Sequence, residues 1–319
     1  MTSAGLFLFV ARGDLTKIPP PKEVLSDGRR RWAGKQVLGQ GMAGKREMIA
    51  YYIACHKNPQ QVSRLVKNVY HAANCYLIHV DKKAPEEVHC EIAESGAVDK
   101  ANIRIMASRP VDWGRWSQVQ AMLRAIRLAL AWNQDWTHFI NLSGQDFPLK
   151  SQSQVFRFLQ GQQDTSFIAA RSLDNHPAKI KYFRQRYAED RGRKSQTLEA
   201  TFPDVNFHQG SQWMILSRSF CRDALQSELG MRLRQAMQTT HCSDEVYFQT
   251  LAANSKTRLP VVWRNGHLIR WIAKQPHPIT WTIHDLDELT SGTAFFARKF
   301  DERVDSEIIL ALEQRLQAA

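Results

Sequence analysis

From residue 48 onward, short apolar, β-branched or aromatic runs take turns with helix-periodic stretches. The strand-like runs lie at 49–55, 75–80, 103–107, 138–142, 166–170, 212–216 and 259–263. Helical patterns occupy 60–72, 85–95, 116–132, 152–159 and 218–227, and an amphipathic stretch at 305–317 closes the chain. Pro59 and Pro85 sit near helix starts, where a missing N–H costs little. Such alternation predicts an α/β fold, a Rossmann-like, mainly parallel sheet flanked by helices. Ligands in such sheets bind outside the carboxyl ends of the strands. Candidate functional residues are therefore the ones that follow strands.

Residues 1–47 break the pattern. They hold Pro19-Pro20-Pro21, Arg29-Arg30-Arg31 and scattered glycines, and predict a poorly ordered basic head. Because Met48 directly precedes the first strand, the head reads either as a misread upstream start or as a basic anchoring tail. Residues 48–319 are expected to form a single domain.

Of the net +12, residues 1–47 hold nine basic against four acidic residues. A basic body suits an anionic ligand, an acidic membrane surface or nucleic acid. No helix-turn-helix, RNA-recognition or zinc-finger pattern supports the last, so no nucleic acid partner is expected. The five cysteines form no C-x-x-C pair, and the expectation is buried, inert thiols in a reducing compartment. No run approaches the ~20 apolar residues of a membrane span. The expectation is a cytoplasmic protein, with peripheral contact at the inner membrane face as its one membrane role.

Six constellations can carry chemistry. Cys55-His56-Lys57-Asn58 follows the first strand, and His79-Val80-Asp81-Lys82-Lys83 follows the second. A carboxylate such as Asp81 can accept from ribose or uracil while lysines attract phosphate, although a solvated turn explains the spacing equally well. There is no G-x-G-x-x-G and no P-loop. Asp112-Trp113-Gly114-Arg115-Trp116 heads a long helix, and its indoles either join the core or floor a sugar or base pocket. Asn141–Lys150 again follows a strand; there Asp146 can bind hydroxyls, orient a neighbour or serve as a base. It lacks the Asp-x-Asp spacing with which many nucleotide-sugar enzymes hold a metal. Arg298 and Lys299, between aromatic anchors, can clamp a diphosphate without one, or lie on the surface. Ser243-Asp244-Glu245 reads as a helix N-cap followed by two acids in the first turn, where the dipole keeps Glu245 ionised.

Apart from Asp112–Trp116, these blocks, together with Gly210-Ser211-Gln212-Trp213, resemble in content and order the core-2/I-branching N-acetylglucosaminyltransferases and peptide O-xylosyltransferases, glycosyltransferase family 14. The resemblance runs over about residues 48–300. It implies a GT-A fold, a UDP-sugar donor, inversion at the anomeric carbon, no metal or other cofactor, and a glycan, peptide or lipid-linked acceptor. It implies Glu245 as catalytic base, and His56, Asp81, Arg298 and Lys299 as donor-binding residues. Trp113, Asp146, Trp213 and Trp271 are then expected around the acceptor or sugar pocket. Two departures stand out: the family's further diphosphate arginine falls on Pro276, leaving Arg270 or His277 as substitutes, and the acceptor-reading segment 175–189 matches poorly. The rival expectation is a catalytically silent relative that binds a UDP-sugar or a glycan.

Overall fold

The computed structural model describes residues 48–319 except 97, 99, 134, 174–197, 274, 276 and 319. The head at 1–47, the segment 175–189 and Pro276 thus lie outside the described residues.

The central strand β1 (Ile49–Cys55) is buried almost throughout because it is paired on both edges and covered on both faces. Its side chains alternate between two cores. Ala50 and Tyr52 join one with α3 (Trp116–Trp132), while Ile49, Tyr51 and Ile53 join the other with α1 (Pro59–Val69). In α1, Val62, Leu65, Val66 and Val69 recur at helical spacing and are all buried, so the helix packs by its apolar stripe. Pro59 opens that helix as the sequence predicts, after Asn58 in a left-handed conformation (φ 50°) that asparagine tolerates better than most residues.

β1 runs parallel to β2 (Cys75–Val80) on one side and to β4 (His138–Ser143) on the other, and β3 (Ile103–Ile105) extends the sheet beyond β2. Past β4, β7 (His208–Ser217) pairs antiparallel, β6 (Ser166–Ser172) pairs antiparallel to β7, and β8 (Val261–Val262) pairs parallel to β6. Among the described residues the order is β3-β2-β1-β4-β7-β6-β8, a mainly parallel sheet with helices on its faces, the GT-A-type α/β arrangement expected. The chain moves outward from β1 through α2 (Glu86–Glu94) to β3, then returns along α3 to β4 on the other side of β1. Strand order therefore reverses between β1 and β4, and a crevice opens at their carboxyl ends.

β7 begins four residues earlier than periodicity predicts, and the reason is a bulge. Its register against β6 shifts between Ile168 and Ala170, and Gly210 fits there because a Cβ would lie 1.7 Å from the Ala169 carbonyl oxygen. Where the β4–β7 ladder ends, the Asn141 side chain continues it. Its Nδ2 donates to the Gln212 carbonyl (2.9 Å) and its Oδ1 accepts from the Met214 N–H (2.9 Å).

A second, three-stranded sheet was not foreseen. β10 (Phe296–Arg298) lies between β5 (Asp146–Pro148), antiparallel, and β9 (His267–Ile269), parallel. Three-residue strands are too short for periodicity to reveal. They are held by a separate core in which Phe147, Trp281 and Phe300 pack on α10 (Glu307–Gln317) through Ile308, Ile309 and Leu312. Each such large side chain contributes about 2–3 kcal/mol by leaving water. No helix among the described residues is long and apolar enough to cross a membrane. Among the described residues the cysteines form no disulfide; Cys55, Cys75, Cys221 and Cys242 are buried and Cys90 is exposed.

Candidate active site

The second sheet decides where the cations go. In the β5–β10 ladder Arg298 lies opposite Asp146. Its guanidinium donates to Asp146 Oδ1 (3.0 Å) and to Ser143 Oγ, and rests 4.8 Å above the Trp213 ring centroid. A cation on an indole face is worth about 0.5–2 kcal/mol. Trp213 in turn stacks on His267 (5.7 Å), which stacks on Phe296 (5.2 Å). Burial, and then Arg298, push the His267 pKa down to about 3, so this ring is a neutral floor under the guanidinium.

Asp146, expected to line the pocket or to act as a base, is instead fully buried behind Arg298. Its Oδ2 accepts from the Ser143 N–H (2.7 Å). Burial raises its pKa, and Arg298 and Ser143 oppose that rise. It orients a neighbour and is out of reach of an acceptor. Trp213 is also largely buried, and supports Arg298 from below.

Lys299 follows Arg298 and makes no ion pair among the described residues. Its pKa is lowered by desolvation first, then by Lys57 and Arg298. Lys57, which belongs to the loop after β1, bonds Asp301 Oδ2 (2.9 Å), and Asn58 Nδ2 bonds Oδ1 of the same carboxylate (2.9 Å). Buried Gln61 fastens the two loops together: its Nε2 donates to the Gly144 and Phe300 carbonyls, and its Oε1 accepts from the Glu302 N–H. The loops after β1, β4 and β10 thus bring three cations together at the mouth of the crevice. Like charges so placed repel one another, and a polyanion relieves that repulsion.

His56 is exposed beside this cluster, its pKa lowered by desolvation and then by Lys57, with Asp81 opposing and Arg298 adding to the fall. Asp81 closes a turn after β2, where its Oδ1 accepts from the Lys83 N–H (2.9 Å). Lys83 pairs with Asp112 (2.7 Å), which draws the loop before α3 towards the β2 end.

Glu245 lies on the other flank. The expectation of a Ser243 N-cap is corrected: residues Ser243–Glu245 form a 3-10 turn, Ser243 Oγ has no partner among the described residues, and α8 (Tyr247–Asn254) starts after Val246. The turn is entered through Cys242 in a left-handed conformation (φ 50°). Nor does a helix dipole hold Glu245 ionised. Burial first, and then Asp244, raise its pKa. Gln209 Nε2, on β7, is 3.4 Å from Glu245 Oε2. Gln209 and Trp213 are four residues apart on that strand, on either side of its bulge. β7 therefore joins the carboxylate side of the crevice to the arginine side.

Trp113, 63% exposed, meets His241 edge-on (5.7 Å), and Trp116 meets Tyr247 likewise (5.5 Å), so the loop before α3 lies against the segment carrying Glu245. Trp271 is exposed on the stretch after β9. Arg270, a proposed substitute for the missing arginine, is committed elsewhere, to Asp285 and Glu288 with its guanidinium on Trp281. His277 is exposed. Sequence reasoning missed Gln61, Gln209 and the role of Lys57. Only Lys57 left a signal, its place beside His56. No three His, Cys, Asp or Glu side chains converge as a metal site among the described residues.

Comparison with known proteins gives relatives of similar sequence. Human xylosyltransferase 2 is 28% identical over 316 residues, covering 87% of this chain, and a Ciona intestinalis xylosyltransferase is 28% identical over 293 residues, covering 84%. The chain spans about a third (34%) of the length of both. The human beta-1,3-galactosyl-O-glycosyl-glycoprotein beta-1,6-N-acetylglucosaminyltransferase is 27% identical over 301 residues, covering 84% of this chain and 69% of its own length. The model of the Core-2/I-Branching enzyme family matches residues 49–290, every element from β1 to α9 (Leu286–Ser291), and the chain belongs to that family.

Proposed function

We propose that this chain is an inverting glycosyltransferase that moves a sugar from a UDP-sugar to an acceptor hydroxyl without a metal ion. Two relatives are named xylosyltransferases and one a beta-1,6-N-acetylglucosaminyltransferase, which supports transfer of a sugar such as xylose or N-acetylglucosamine. The observation that carries the reading is the cation cluster. Arg298, Lys299 and Lys57 converge at the strand-order reversal, and the nearby Asp146 is turned inward onto Arg298. That arrangement suits a diphosphate and leaves this carboxylate no free oxygen to offer a metal.

In the proposed reaction, Glu245 takes the proton of the acceptor hydroxyl. The freed oxygen pair bonds the anomeric carbon from the face opposite the nucleotide. The bond from that carbon to the diphosphate oxygen breaks, and its electron pair leaves with UDP, whose new charge Arg298 and Lys299 stabilise. In this reading Asp81 and His56, in the loops after β2 and β1, contact the nucleoside, and the exposed Trp113 and Trp271 stack on the acceptor.

The test is UDP release against a panel of UDP-sugars, in EDTA and with manganese. Turnover is expected in both. Glu245→Gln should lose about 10²–10⁴ in rate while UDP still binds by calorimetry. Strict dependence on manganese, or near-normal turnover in Glu245→Gln, would overturn the reading. UDP binding with no turnover from any donor would favour the silent relative.

A further inference from the structure

We propose that Asp244 is a positioning residue for Glu245: a second carboxylate, buried beside the base and in no ion pair among the described residues, that makes the base stronger. The inference rests on Glu245 being the base.

The two acids are consecutive on the 3-10 turn, which the Glu245 N–H closes onto the Cys242 carbonyl (3.0 Å). Asp244 is 8% exposed, and neither acid forms an ion pair among the described residues. The elements packed against the turn are β7, α3 and α8. β7 brings His208, which stacks on Trp263, and Gln209, which spends its amide N–H on Glu245. α8 brings Tyr247, whose hydroxyl donates to the Ala224 carbonyl, and Gln249, which donates to the Ser211 and Asp244 carbonyls. α3 brings Trp116 and Gln118, the latter facing Gly114 and Gln212. Arg115 and His241 lie on the chain leading in, and neither bonds either acid; His241 is held below the ordinary imidazole value by burial and then by Arg115.

The donors that reach the acids are few: the backbone N–H groups of Asp244 and Glu245 for Asp244, and Gln209 Nε2 for Glu245. Asp244 Oδ1, Gln209 Oε1, Gln249 Oε1 and Ser243 Oγ are all buried without a hydrogen-bond partner among the described residues, and the first three cannot donate when Asp244 is ionised. Such a lining resists a second negative charge, so the pair holds one proton more tightly than an isolated glutamate would. Burial raises both acids, and Asp244 raises Glu245 further. Asp244 forms no bond in the reaction. It acts only through the affinity of Glu245 for the proton taken from the acceptor, and a base with a higher pKa, once ionised, pulls harder on that proton.

The experiment measures kcat/KM against pH for the full chain, Asp244→Asn and Asp244→Glu, with Glu245→Gln as reference. Activity needs ionised Glu245 and is lost as pH falls through its raised pKa. In Asp244→Asn the acid limb is expected to move down by about one pH unit or more, with a lower plateau. The rate at pH 6, relative to each plateau, then rises several-fold. Asp244→Glu keeps the charge and should keep the limb. An unmoved limb in Asp244→Asn, or an equal move in Asp244→Glu, would overturn the role of Asp244 while leaving an inactive Glu245→Gln in place. An active Glu245→Gln would instead remove the base assignment beneath it.

Discussion

At Arg298 a charge is made useful by what fixes it. Asp146 and Ser143 hold the guanidinium from one side and the Trp213 face from below, so little side-chain freedom is left to lose when a ligand binds. Lys299, by contrast, is held by no carboxylate and is pressed upon by Lys57 and Arg298. The two cations should therefore fail differently. Asp146→Ala leaves a largely buried guanidinium unpaired and should cost about 3–5 kcal/mol in a urea unfolding series, with weaker UDP binding. Arg298→Lys keeps the charge but loses the planar contact with Asp146 and the indole. Its donor KM should rise on the order of tenfold with the unfolding midpoint nearly unchanged.

At the scale of elements, β7 is the strand on which the two flanks depend. Gly210 sits at the edge of the bulge in β7, where any Cβ meets the Ala169 carbonyl. Gly210→Ala must push the strands apart, and Gln209, one residue away, moves with them. The expected loss is at or above the about 1–3 kcal/mol typical of overpacking. Turnover should fall even at temperatures where circular dichroism shows the variant folded, because the Gln209–Glu245 contact is displaced. The same strand shows why some elements were legible and others were not. β1, β2, α3 and α4 (Gln152–Leu159) have the bounds that apolar periodicity predicts. The start of β7 was missed because Gln209 to Gln212 carry no apolar pattern, and it is strand only because Asn141, Thr250 and β6 supply partners for its backbone.

Across the whole molecule, three segments far apart in the chain, 57–61, 143–146 and 298–302, become one wall through Gln61, Asp301 and the second sheet. A ligand bridging that wall binds the folded state alone and should raise the melting temperature. UDP in EDTA is expected to raise Tm, and the rise should shrink as sodium chloride goes from 0.05 to roughly 0.5 M, because the clamp is partly exposed and its field is screened. A shift unaffected by salt would speak against an electrostatic clamp.

By itself the sequence determined the parallel α/β plan and the candidate motifs, since hydrophobic alternation and short polar blocks after strands are local properties of the chain. It also placed Glu245, Arg298 and Lys299 among the candidates, through their order and their neighbours. Only the tertiary structure decided that Asp146 faces inward to hold Arg298, that Gln61 and Lys57 bind the wall, and that Asp244 lies buried beside Glu245. Those outcomes depend on contacts between residues up to about 240 positions apart, such as Gln61 with Phe300. No local pattern encodes which way a side chain turns when its partner arrives from the far end of the chain.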